Sequence, residues 1–293
     1  MKATLMAASA AAFAFAAFAA DTPSSTAPAE KFRMRSICKQ GFHENSPFPG
    51  NSIPAFKLAW EKGAGMIETD CHMIRGGRII CVHDRKVLAR LSGEDRVIPD
   101  LTEEDVAKID IGKSSKSPEP VRIPYLEEVF ATMPKYAIAQ CEICGYSDTF
   151  ADTFDRLRRE AGLSVTNIFM TSAGLSKLAD FKKRYPEYRT GWLNAGLGVK
   201  GAKTYSVDAM IAAAKKANVD VVCPRALLAQ RLGFSPADAD KVRAAGLEFR
   251  VWGVNTPELL KYAYSLKVPA FTCARWSESF KWAKDIPGVE VVP

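Results

Sequence analysis

The chain has 293 residues, 47% of them hydrophobic and 25% charged, which is enough to bury one large core. Its net charge of +7 is spread along the sequence without a basic block, which excludes a nucleic-acid-binding arm. A moderately basic surface of this kind favours an anionic small molecule or a membrane surface as partner.

Met1-Lys2 and the uncharged, Ala- and Phe-rich run from Ala3 to Ala20 have the layout of a secretory signal. Ala17-Phe18-Ala19 supplies the small-x-small cleavage site. Residues 1–20 therefore read as a removed signal peptide, and the protein as exported, either periplasmic or secreted. The run is marginal for spanning a bilayer of about 30 Å, and no second apolar run follows. Residues 21–32, rich in Pro, Ser, Thr and Ala, read as a disordered leader, and residues 33–293 as one folded domain.

Short β-rich runs then alternate with helical patterns. Met34–Cys38 precedes a helix over Ser52–Lys62, whose apolar stripe ends at Gly63-Ala64-Gly65 before the strand Met66–His72. Gly76-Gly77 is a turn, and Arg78–His83 returns as a strand. Helices over Thr102–Ile109 and Pro124–Met133 lead to the strand Tyr136–Ile143. Helix and strand then alternate through Asp148–Ala161, Val165–Met170, Gly174–Tyr185, Tyr188–Leu193, Ser206–Ala217 and Val219–Cys223. The series closes with the helix Pro236–Ala245, the strand Glu248–Val254, the helix Thr256–Leu266 and the strand Val268–Cys273. This rhythm implies a parallel sheet, closed into a (β/α)8 TIM barrel. No Gly-x-Gly-x-x-Gly follows the first strand, which argues against a dinucleotide fold. Arg85–Val121 is too long and polar for an ordinary connection and reads as a small lobe inserted after the third strand, over the barrel mouth.

Most of the seven cysteines lie in apolar, strand-like runs, where a thiol packs as a small hydrophobe. Cys141 and Cys144 resemble a redox pair, but on a strand they face opposite sides about 10 Å apart, beyond disulfide reach.

Reactive side chains of such a barrel sit at the C-terminal ends of its strands. There, Glu68, Asp70 and His72 share one face of Met66–His72, and two carboxylates inside a barrel are costly unless a cation neutralises them. Two oxygen donors two residues apart can share a hard divalent ion such as Mg2+ or Ca2+. The next strand ends Val82-His83-Asp84, and a histidine titrates where protons are moved near neutral pH. Glu142 adds a third carboxylate on Tyr136–Ile143.

Gly63-Ala64-Gly65-Met66-Ile67-Glu68-Thr69-Asp70 followed by Gly76-Gly77-Arg78-Ile79-Ile80-Cys81-Val82-His83-Asp84 resembles the glycerophosphodiester phosphodiesterase family. Supporting segments are Ile98–Thr102, Ile123–Val129 and Val251–Asn255, in order across Arg35 to Cys273. The resemblance implies a metal-dependent hydrolase of glycerophosphodiesters or related phospholipid-derived diesters. It puts Glu68, Asp70 and Glu142 at metal-ligand positions and His83 at one of two catalytic histidines, with an internal substrate hydroxyl able to act as nucleophile. Trp252 could pack on the alcohol portion of the substrate, or simply fill the core.

The chain departs from that pattern where the first strand usually ends His-Arg-Gly: here it reads Lys39-Gln40-Gly41. Gly50 stands at a ligand Glu, Cys144 at a Lys two residues past the third carboxylate, and Cys273 at an Asp. Lys39 could bind phosphate as a cation or donate a proton, His43 could replace the lost histidine, and Gln40 falls where the phosphate-binding Arg is expected. The competing readings are a catalytically impaired phosphodiester- or polyol-binding protein on the same barrel, and an exported interaction protein with a vestigial mouth.

Overall fold

The computed structural model describes residues 30–115, 117–193 and 205–293, so the expected signal peptide and most of the expected leader lie outside the described residues. The first strand, β1 (Phe32–Lys39), takes in the last residue of that expected leader. It is followed by α1 (Ile53–Glu61), β2 (Met66–Met73), β3 (Ile79–Cys81), α2 (Arg85–Ser92), α3 (Glu103–Lys108) and α4 (Leu126–Ala131). Then come β4 (Ile138–Gly145), α5 (Phe150–Glu160), β5 (Ile168–Ser172), α6 (Leu175–Arg184), β6 (Arg189–Trp192), α7 (Val207–Lys216) and β7 (Val221–Val222). The chain continues through α8 (Ala226–Arg231), α9 (Pro236–Ala244), β8 (Glu248–Phe249), β9 (Val251–Trp252) and α10 (Pro257–Ser265). It ends with β10 (Ala270–Cys273), α11 (Trp276–Ala283) and β11 (Val289–Val292).

The strands form a parallel ring. β1 pairs with β2, then β4, β5, β6 and β7 follow in turn, and β10 returns to β1. β8 pairs with β7 and β9 with β10, while Arg250 N and Trp252 N donate to Val222 O and Pro224 O. Glu248–Trp252 thus acts as one strand broken at Arg250, and it completes a closed (β/α)8 barrel. The sequence-based strand Arg78–His83 is not part of that ring. Its centre, β3, runs antiparallel to β2, with Cys71 opposite Cys81. A two-glycine turn, Gly76-Gly77 with φ of 96° and 86°, permits so tight a return and makes a hairpin instead of a crossover. Four elements escaped the sequence reading: α2, α8, α11 and β11, the last pairing parallel with the start of β1.

The inserted lobe is present and has a core of its own, with Ile80, Val82, Leu88, Ile98, Leu101 and Ile123 buried together. It holds α2 and α3, the latter opened by a Thr102–Asp105 capping box. Around the barrel, the outward strand residues Ile67, Cys71, Ala139 and Cys141 pack against the helices. The inward ones at the closed end, Ile37, Met66, Phe169, Val221 and Ala270, form an apolar plug. Aromatic side chains fix the helix layer: Phe154 meets Phe130 edge-on at 5.6 Å and Phe181 at 6.0 Å. All seven cysteines are free, and six of them are buried.

Candidate active site

Inward positions two residues nearer the C-terminal ends change from apolar to ionisable. Lys39 is level with Glu68, Glu68 with Gln140, and Asp70 with Glu142. Lys39, Glu68, Gln140 and Glu142, together with His83 and Trp252, line a cavity of about 210 Å3 at the mouth, and Asp70 lies fully buried, level with Glu142.

The acids crowd one another. Desolvation and then the charge of Asp70 push Glu68 up to about 8, and the same two causes push Glu142 up to about 7. Lys39 answers part of that charge, its Nζ 3.9 Å from Glu68 Oε1. Burial alone would lower the Lys39 pKa, but Glu68, Asp70 and Glu142 outweigh it and hold the ammonium charged. Asp70 has no exposed surface and accepts two amide hydrogen bonds of 2.7 Å at Oδ2, one from Gln40 Nε2 and one from Asn51 Nδ2. Asn51 in turn accepts from Thr69 Oγ1 and Asp70 N, so its amide orientation is fixed by its partners.

Both amide residues sit in the left-handed region, Gln40 at φ 56° and Asn51 at φ 59°, in the tight loop that leaves β1. Gly50 makes that loop work. A Cβ there would lie 2.8 Å from Gln40 Oε1 and 3.0 Å from Gln40 Cβ, so no larger residue coexists with Gln40 in its present place. The amide at 40 occupies the space a side chain at 50 would need. Gln40 donates to Asp70 and is not among the residues lining the cavity.

On the opposite wall, His83 Nδ1 lies 2.6 Å from Asp84 Oδ2, leaving Nε2 toward the cavity. Asp84 uses its other oxygen to cap α2, accepting from Val87 N at 2.8 Å. Its slight desolvation is outweighed by that N–H and by His83, so its pKa falls below the usual carboxylate range. His72 contacts the His83 carbonyl through Nε2 at 3.1 Å, while its Nδ1 is buried without a partner among the described residues. Burial lowers the pKa of His72 and also that of His43. His43 Nδ1 contacts Gly41 O at 3.1 Å, and the ring does not line the cavity. Trp252 does line the cavity, and its Nε1 donates to Leu193 O at 2.8 Å, which locks the ring in place.

Asp70, Glu142 and Cys144 offer ligand atoms that all lie within 4.8 Å of one another. Glu68 stands outside this group, on the Lys39 side. Buried negative charge exceeding what Lys39 neutralises is the condition a divalent cation relieves, and two carboxylates suit it. The residues fit such an ion. The third donor, the Cys144 thiol, is held strongly protonated by burial and then by Glu142, and is a soft partner for a hard ion. Sequence reasoning noted Asp84 beside His83 and Cys144 in place of an expected Lys, gave neither a role, and passed over Asn51. The stagger of residues 140, 142 and 144 along one strand face was the available signal for Cys144.

A family model described as the glycerophosphoryl diester phosphodiesterase family matches residues 40–275. A glycerophosphodiester phosphodiesterase of Caldanaerobacter subterraneus is 40% identical over 83 residues, which are 28% of this chain and 34% of that protein. The match thus spans about a third of the curated relative's length. Among solved structures, a glycerophosphodiester phosphodiesterase from Thermotoga maritima superposes with a TM-score of 0.66 at 20% identity, covering 85% of this chain and 97% of that one. An Oleispira antarctica phosphodiesterase, solved with the product sn-glycerol-3-phosphate, superposes at 0.69 with 16% identity, covering 85% and 96%. At these identities the structural likeness speaks for the barrel.

Proposed function

The chain belongs to the glycerophosphoryl diester phosphodiesterase family, and we propose that its barrel mouth hydrolyses glycerophosphodiesters or related phospholipid-derived diesters. The observation that carries this reading is the meeting of Glu142 and His83 around one cavity, with Asp70 beside Glu142 on the neighbouring strand and Asp84 paired to His83. A Mg2+ or Ca2+ ion held by Asp70 and Glu142, with Glu68 close by, would offset phosphate charge at that point. His83, its Nδ1 committed to Asp84, has Nε2 available to take the proton of the attacking hydroxyl, from the glycerol part of the substrate or from water. The new O–P bond forms as the bond to the departing alcohol breaks, and that alcohol leaves with the proton returned by His83 or taken from water; when the glycerol hydroxyl attacks, a water then opens the resulting cyclic phosphate. Lys39, kept charged by its acidic neighbours, serves as a phosphate-binding cation in preference to a proton donor. The fixed Trp252 ring offers an apolar face to the alcohol portion.

We also propose export, on the strength of the Ala3–Ala20 run and its small-x-small site; N-terminal sequencing of the protein recovered from the producing cell should start near Ala20 or Asp21.

The function is tested by incubating the protein with glycerophosphocholine, glycerophosphoethanolamine and bis(p-nitrophenyl) phosphate, with Mg2+, with Ca2+ and with chelator. Metal-dependent release of sn-glycerol 3-phosphate is the expected result. Binding of metal and of sn-glycerol 3-phosphate without turnover of any diester would replace the hydrolase by the phosphodiester-binding reading.

A further inference from the structure

Lys177 was not singled out by the sequence pattern, yet it belongs to the mouth. It lies in the first turn of α6, four residues after Ala173, which lines the cavity. Its stem is laid across Gly174, where an added Cβ would come within 3.3 Å of Lys177 Cδ and 3.4 Å of Cε. That path delivers Nζ to the end of β4, where it donates to Cys144 O at 2.6 Å and reaches Ile143 O at 3.5 Å. There it is close enough for its charge to act on Glu142, Cys144 and His72.

Two other bases of this helix have acidic partners: Lys182 pairs with Asp220, and Arg184 with Asp152 and Asp180. Lys177 makes no ion pair among the described residues. Its contacts are to neutral carbonyl oxygens, which orient an ammonium without cancelling its charge. A half-buried ammonium held in this way keeps a third N–H for an incoming anion.

From this geometry we infer that Lys177 is a substrate-binding residue, gripping a non-bridging phosphate oxygen from the β4–β5 side while Lys39 faces it from the β1 side. The inference rests on the phosphodiester reading of the mouth, which it deepens by naming the second phosphate contact. An ammonium tied only to backbone carbonyls can swing to a phosphate at the cost of one hydrogen bond, and gains a charge-assisted one.

Two measurements test it. Lys177→Met keeps the stem and removes the charge. The expected result is a rise of about tenfold in KM for a glycerophosphodiester and in Kd for sn-glycerol 3-phosphate, with kcat and thermal midpoint nearly unchanged and recovery in Lys177→Arg. Unchanged KM and Kd would overturn it. The second uses the wild-type protein: the rate of reductive methylation of Lys177, followed by peptide mass spectrometry, with and without sn-glycerol 3-phosphate. Protection by the phosphate supports the grip, and an identical methylation rate under saturating phosphate contradicts it. Because neither binding nor protection requires turnover, an inactive wild-type protein would refute the hydrolase while leaving this contact to be judged by itself.

Discussion

The wall of the mouth built by β2, β3 and β4 differs in kind from the wall built by β1 and the loop after it. The first supplies Asp70, Glu142 and the His83–Asp84 pair, groups able to hold an ion or move a proton. The second supplies an ammonium and two amides, Lys39, Gln40 and Asn51, each engaged in holding the acids of the first. The difference shows how a barrel can alter one strand end and keep its acidic centre: buried carboxylates tolerate new neighbours provided those neighbours donate hydrogen bonds or positive charge.

If that division of labour is right, changes on the β2–β4 wall should be felt in chemistry and those on the β1 wall in binding and stability. The largest effect is expected for Glu142→Gln, which should lower kcat/KM by about a thousandfold and abolish divalent-ion binding followed by calorimetry. His83→Asn should cost about 10²- to 10⁴-fold in kcat while leaving ion affinity intact; a loss of ion binding would erase the distinction between the two groups. Asp84→Asn is a finer probe. Asparagine caps α2 as well as aspartate does, so the thermal midpoint should hold while kcat drops by about tenfold to a hundredfold from poorer orientation of His83.

The next expectation concerns pH. Glu68 and Glu142 are raised in the folded protein, to about 8 and about 7, so the metal-free native state retains protons that the unfolded chain has already released. The stability this contributes is present below the ordinary Glu pKa and is lost as pH climbs through 7 to 8. Thermal melts with chelator should therefore fall by several degrees between pH 5.5 and 8.5, and added Mg2+ or Ca2+ should restore more at pH 8.5 than at pH 5.5. A flat profile in chelator would mean that the acids are neutralised some other way.

The smallest effect is expected from Gly50→Ala. Its Cβ displaces Gln40 and breaks the amide contact to Asp70, a loss of about 1–2 kcal/mol readable as a lower thermal midpoint with little change in kcat.

Much of the mouth was legible because a strand alternates faces: Glu68, Asp70 and Glu142 had to share the interior once the strands were recognised. The hairpin was misjudged because Ile79-Ile80-Cys81 is as apolar as any barrel strand, and pattern alone does not say whether a strand follows its neighbour or reverses along it. His43 looked available by proximity to Lys39, but a backbone turn through Gly41 aims its ring at a carbonyl. Lys177 lay more than thirty residues from any acid of the site, and only the parallel stacking of β4 beside β5 brought it there.

Composition and periodicity by themselves thus determined the barrel, the acidic strand ends and the histidine that follows the hairpin, since those depend on spacing along one strand. Which residue neutralises which acid, the pairing of Gln40 with Gly50 and the arrival of Lys177 were decided by the tertiary structure alone. The reason is that charge interactions act over a few ångströms of space, and a closed barrel makes spatial neighbours of residues that are remote in the chain.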